Sequence, residues 1–180
     1  MNVWRVAACM GVLLAAVYNL SACSSAAPQL DTLTQAEPDS TRQRAMRRLS
    51  LASAYFEQKQ NDVAQQEVRA ALKIDPTYAD AYSLLGLIHQ RENAPVLAQQ
   101  SFLQAIVLAA RSPLRTDDLA AIQHNYGWFL CEQNDFTQAK LQFELALAQP
   151  SYRQADKTRQ ALRLCQERAG LKADARKSNN

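Results

Sequence analysis

Tyr126-Gly127-Trp128-Phe129-Leu130-Cys131-Glu132-Gln133-Asn134-Asp135-Phe136-Thr137-Gln138-Ala139 is the stretch on which the reading of this chain turns. A small residue, Gly127, sits among rings; twelve residues on comes Ala139, four later Phe143, and three later again Ala146. The pattern is present twice more upstream. Leu51-Ala52-Ser53-Ala54-Tyr55 is followed at the same intervals by Ala64, Val68 and Ala71, and Leu85-Gly86-Leu87-Ile88-His89 by Ala98, Phe102 and Ala105. Pro76, Pro113 and Pro150 fall near the ends of the copies. Self-similarity at a fixed period of tens of residues marks an array of stacked units, none of which can bury its apolar face alone.

Each copy is built for helix. The chain holds only 4 Gly in 180 residues, and Ala, Gln, Leu and Arg are abundant, which favours helix over sheet. Asn61-Asp62, Asn93-Ala94-Pro95 and Asn134-Asp135 supply capping and helix-starting residues between helices. The predicted helices are 41–58, 61–74, 78–92, 95–110, 116–133, 136–148 and 153–168. The spacing resembles the tetratricopeptide repeat, a 34-residue helix-turn-helix. On that resemblance the repeats are 45–78, 79–112 and 120–153, with seven residues inserted at 113–119. The fold class expected is all-α, a tetratricopeptide-repeat superhelix of three repeats plus a C-terminal capping helix, 154–168, in a domain spanning 42–168. Arg163 stands where a small residue is expected in a fourth copy, and 169–180 reads as a polar tail.

The amino terminus is different in kind. Residues 1–22 carry one early cation, Arg5, and a nearly charge-free apolar run from Val6 to Tyr18. That run is too short to span a membrane and suits an export signal. Leu20-Ser21-Ala22-Cys23 resembles the lipobox of bacterial lipoproteins. The resemblance implies that Cys23 is acylated and becomes the mature first residue. Ser24 after it, rather than Asp, implies an outer-membrane protein facing the periplasm. Residues 23–41, rich in Ser, Ala, Pro and Thr, read as a flexible tether.

Net charge is +3, too little for a nucleic-acid footprint. The basic run Arg42 to Arg48 is expected to be a solvated helix face, with lipid headgroups or an acidic partner as the alternative. No P-loop, GxGxxG, HExxH or GxSxG motif occurs. The expectation is a binding protein rather than an enzyme, with no cofactor beyond a covalent lipid on Cys23, no metal and no small-molecule substrate. Cys131 and Cys165 are an even pair 34 residues apart, one repeat length; a disulfide and two buried thiols both fit.

In such stacks the first helix of each repeat, helix A, lines a concave face. The groove-facing positions are Met46, Leu49, Ser53, Phe56 and Glu57; Asp80, Ser83, Leu87, Gln90 and Arg91; and Ala121, His124, Trp128, Cys131 and Glu132. Phe56, Leu87 and Trp128 would form an apolar line able to anchor a peptide; a core role for Trp128 is the alternative.

The segment Asn125-Tyr126-Gly127-Trp128-Phe129-Leu130-Cys131, with Asp135-Phe136, Ala139, Phe143, Ala146-Leu147 and Pro150-Ser151-Tyr152, is more particular than the generic repeat. It resembles the PilW/PilF type IV pilus biogenesis and stability lipoproteins, whose members carry more repeats than the three counted here. The resemblance implies a pilotin-like role. In that role the protein helps the secretin PilQ reach the outer membrane and multimerise, and so supports twitching motility. A general periplasmic scaffold for another envelope protein is the alternative.

Overall fold

The computed structural model describes residues 40–111 and 116–178. Its helices are α1 (Thr41–Glu57), α2 (Asn61–Ile74), α3 (Ala79–Arg91), α4 (Pro95–Ala110), α5 (Thr116–Glu132), α6 (Phe136–Leu147) and α7 (Ala155–Ser178). Among the described residues there is no strand. The export signal, Cys23 and nearly all of the tether lie outside the described residues, as do Pro113 and the start of the insertion. The part of the insertion that is described, from Thr116, is helical and extends α5 beyond the start of its counterpart α3.

Local chemistry sets the boundaries. Ser40 and Gln43 form a reciprocal capping box at the start of α1: Ser40 Oγ accepts from Gln43 N at 3.1 Å and Gln43 Oε1 from Ser40 N at 2.9 Å. Asp135 caps α6 by accepting from Gln138 N. Pro95 occupies the first turn of α4, where its missing N–H costs nothing. Lys59, Asn93 and Asn134 have φ of 62, 57 and 65°, and these left-handed residues recur at one position of each hairpin. The N–H following each of them, on Gln60, Ala94 and Asp135, donates to Tyr55, His89 and Leu130 O, all at 2.9 Å. This is the Schellman closure of a helix end. Between α2 and α3 the Asp75 carboxylate accepts from Thr77 N and Oγ1 and pairs with Arg42 Nε at 3.0 Å.

The helices pack as hairpins, α1 on α2, α3 on α4 and α5 on α6, and each hairpin stacks on the next. The small residues let the two helices of a hairpin close together. A Cβ added at Gly86 would sit 2.9 Å from three atoms of the Phe102 ring, and one at Gly127 2.9 Å from two atoms of Phe143. Both rings are fully buried. In the first hairpin the pair is Ala52 and Val68: a smaller partner leaves room for the methyl group. Phe102 then meets Tyr126 and Phe129 of the next repeat at ring separations of 5.7 and 5.6 Å, so one cluster ties two hairpins together.

Three features differ from the sequence expectation. Helix α7 does not stop at 168 but runs through 169–178, so that segment is helix and not a polar tail. Its Ala, Leu, Lys and Arg favour helix even without burial, and Leu171 is 73% exposed. The small residue of the fourth copy is present: Ala161 lies 34 residues after Gly127 and is buried against Cys131 and Phe143, while Arg163 corresponds to Phe129 and faces solvent. Gln160 and Arg163 thus stand, exposed, where Tyr126 and Phe129 are buried one repeat earlier, which is the composition of a cap. Finally, the basic run is partly engaged within the fold. Arg42 pairs with Asp75 and stacks on the Tyr78 ring, and Arg48 pairs with Glu67 at 3.0 Å.

Candidate binding groove

Helices α1, α3 and α5 bring their exposed arcs side by side, and two adjoining pockets open between them. One, of about 340 Å³, is lined by Phe56, Leu87, Gln90, Arg91 and Glu132. The other, of about 220 Å³, is floored by Leu49, Leu84, Leu87 and Ile122 and edged by Ser53, Asp80, Ser83, Ala121 and Asn125. Leu87 belongs to both, so they form one trough across three repeats. A larger recess of about 420 Å³ lies between α6 and α7, with Phe136, Leu162 and Cys165 in its lining, and draws on those two helices alone.

The first pocket is held in shape by polar contacts between repeats. Gln90 Nε2 donates to Glu132 Oε2 at 2.6 Å, and Trp128 Nε1 to Glu132 Oε1 at 2.9 Å. Arg91 Nη1 donates to the Phe56 carbonyl and to Asn61 Oδ1, and its guanidinium lies 3.4 Å from the Phe56 ring centroid. Asn125 Nδ2 donates to Ser83 Oγ at 3.2 Å, joining the second and third repeats beneath the other pocket.

Of the residues expected in the groove, Leu49, Ser53, Phe56, Asp80, Ser83, Leu87, Gln90, Arg91, Ala121 and Glu132 line these pockets. Met46 is 47% exposed and lines none of the described pockets. The apolar line of Phe56, Leu87 and Trp128 is not a continuous exposed strip. Phe56 is buried under Arg91, and Trp128 packs half-buried against the Phe102–Phe129 cluster, reaching the pocket only through Glu132. Trp128 thus stands between the core and the edge of the trough.

His124 is not in the trough. Its ring packs edge-on against Phe143 at 5.8 Å, and Nδ1 lies 2.8 Å from Thr158 Oγ1, which donates on to Tyr152 OH. Burial lowers its pKa below 6.5, and the charge of Lys157 adds to that. The neighbour Asn125 takes the groove place instead. The counterparts of His124 in the earlier repeats, Leu49 and Ser83, do line the trough; at this position of the third repeat the neighbour is Thr158 of α7. Cys131 is likewise turned inward. It is disulfide-bonded to Cys165 with Cα atoms 5.8 Å apart, joining α5 to α7. Among the described residues no group of three or more His, Cys, Asp or Glu could hold a metal ion.

A stack of A/B hairpins with a trough along its A helices defines a tetratricopeptide-repeat protein, and the family model for the TPR repeat matches residues 52–93. More particularly, the chain is similar to the PilW and PilF type IV pilus biogenesis factors. It is 32% identical over 91 residues to the type IV pilus assembly protein PilF of Pseudomonas aeruginosa, across 51% of this chain and 33% of that one. It is 31% identical over 121 residues to an uncharacterized protein of Haemophilus influenzae, across 67% and 64%. Among solved structures, PilW, described as a widely conserved type IV pilus biogenesis factor, superposes with a TM-score of 0.63 at 29% identity, covering 72% of this chain and 56% of that one. Pseudomonas aeruginosa PilF superposes with the same score at 27% identity, covering 72% and 57%. The chain therefore spans about a third of curated PilF and less than two thirds of the Haemophilus relative.

Proposed function

We propose that the chain is an outer-membrane lipoprotein that acts by protein binding in type IV pilus biogenesis. In this pilotin-like role it promotes localisation and multimerisation of the secretin PilQ, and it catalyses nothing. The observation that carries the reading is the trough built by three repeats around Leu87, with Arg91 and Glu132 fixed by contacts between repeats. Similarity to proteins described as pilus assembly and biogenesis factors supports the pilus setting. Acyl chains on Cys23 would hold the protein at the inner leaflet of the outer membrane, each buried methylene contributing about 0.8 kcal/mol, and the tether would let the repeats reach a partner.

Deleting the gene should reduce heat-stable PilQ multimers on a gel and abolish twitching. Restoring the Leu87→Ala chain should rescue poorly while the Met46→Ala chain rescues fully. Unchanged multimers and normal twitching in the deletion would exclude the pilotin role. A second reading, a periplasmic scaffold for a different envelope machine, is favoured by the match of residues 52–93 to the general TPR repeat. It predicts normal PilQ multimers and capture of some other envelope protein through the same trough.

A further inference from the structure

The hydrogen-bonding capacity left over in the larger groove pocket points to a specific kind of occupant. Glu132 is held by two neutral donors, Gln90 Nε2 and Trp128 Nε1, neither of which cancels its charge. Ionised carboxylate oxygens accept two hydrogen bonds each, so both keep room for another donor. The Gln90 amide cannot be reversed without setting its oxygen 2.6 Å from a carboxylate oxygen, so Oε1 must face away from Glu132; it is buried and accepts no hydrogen bond. Across the pocket the cation that lines it, Arg91, is turned onto the Phe56 ring and carbonyl and onto Asn61. The buried capacity still unmet is therefore acceptor capacity, beside a negative charge. Next to it, sharing Leu87, lies the apolar floor of Leu49, Leu84 and Ile122.

We infer that the trough takes a partner peptide that presents a Lys or Arg side chain to Glu132 and Gln90 and an adjacent apolar side chain to the pocket floored by Leu49, Leu84 and Ile122. This rests on the groove reading above and adds the chemistry of the occupant. An acidic segment would bring a like charge against Glu132, and a purely apolar one would bury that carboxylate without a counter-charge.

The test uses the full chain and fluorescent synthetic peptides of one length, each with a fixed Leu followed at varied spacing by Lys, norleucine or Glu. Binding is read by polarisation at low and high salt. At the best spacing the Lys peptide should bind about tenfold tighter than the norleucine peptide, as expected of a charge-assisted bond, with the Glu peptide weakest and the preference shrinking in high salt. Glu132→Gln keeps an acceptor for Trp128 and should erase the Lys preference; Gln90→Met should reduce it. Circular dichroism of both variants should match that of the parent chain. Equal affinity for Lys and norleucine peptides, a preference that survives Glu132→Gln, or binding by no peptide overturns the inference. If binding is charge-blind yet lost in Leu87→Ala, the groove reading stands and the cation inference alone falls. Binding unaffected by Leu87→Ala removes both.

Discussion

At Gly127 one hydrogen atom separates a packed hairpin from a strained one. Helix propensity favours Ala over Gly by about 1 kcal/mol, yet the added methyl would stand 2.9 Å from a fully buried ring with nowhere to move. Overpacking of this kind costs about 1–3 kcal/mol, so Gly127→Ala should lower the urea midpoint, and Gly127→Ala with Phe143→Val should recover part of the loss. The opposite change is available at Lys59, which adopts a left-handed conformation (φ 62°) where the later repeats use Asn. Lys59→Asn should raise stability by about 0.5 kcal/mol in the same assay; an unchanged midpoint would show that Lys meets no strain there. The recurrence of small and large residues was legible from spacing alone; that Gly86 meets Phe102 and Gly127 meets Phe143 inside one hairpin was not. The turn before Asn61 was legible too; the left-handed conformation of Lys59 was not, because Lys carries no preference for positive φ.

Among the elements, α7 is the one held from outside its own contacts. Its residues 170–174 and 177 are exposed, and the Cys131–Cys165 bond secures its middle to α5. Closing a loop of 34 residues removes unfolded-state entropy worth about 3–4 kcal/mol on the chain-entropy model. Cys131→Ser with Cys165→Ser, or dithiothreitol, should therefore shift the urea midpoint down by a corresponding amount, and α7 should lose amide protection before α1 and α2. Helix boundaries in the interior were legible to within a residue or two, since Pro95, Asp135 and the apolar period fix them. The extent of α7 was not. Its last turns bury almost nothing, so polarity suggested a tail while intrinsic propensity keeps them helical.

For the stack of repeats taken together, the seam between the third hairpin and α7 is the pH-sensitive place. Burial first, and the charge of Lys157 second, lower the pKa of His124 below 6.5. The folded chain thus keeps this ring neutral while the unfolded chain protonates it. Stability is complete above 6.5 and declines as pH falls below it, towards the folded pKa. The thermal midpoint should drop between about pH 7.5 and about pH 5.5, and His124→Gln should remove most of that dependence. An identical slope in the variant would place the sensitivity elsewhere. At this scale the stacked all-helical architecture and most of the trough lining could be read from a repeat count. Leu84, Ile122 and Asn125 could not. The fifth position of each repeat faces the next first helix; for Leu49 and Ser83 that lies in the trough, while for His124 it is the seam with α7 at Thr158.

The unequal steric keys of the hairpins have an effect on assembly as well as on stability. A first helix bearing Ala52 cannot mate with the second helix that carries Phe102 without driving a methyl into the ring, and one bearing Gly86 laid on Val68 would leave a void. Near-identical modules in one chain invite the wrong halves to zip together as it folds. The halves of the first hairpin are thus kept apart from those of the second and third, which share one Gly–Phe key, so the sequence proofreads that pairing before any repeat meets the next.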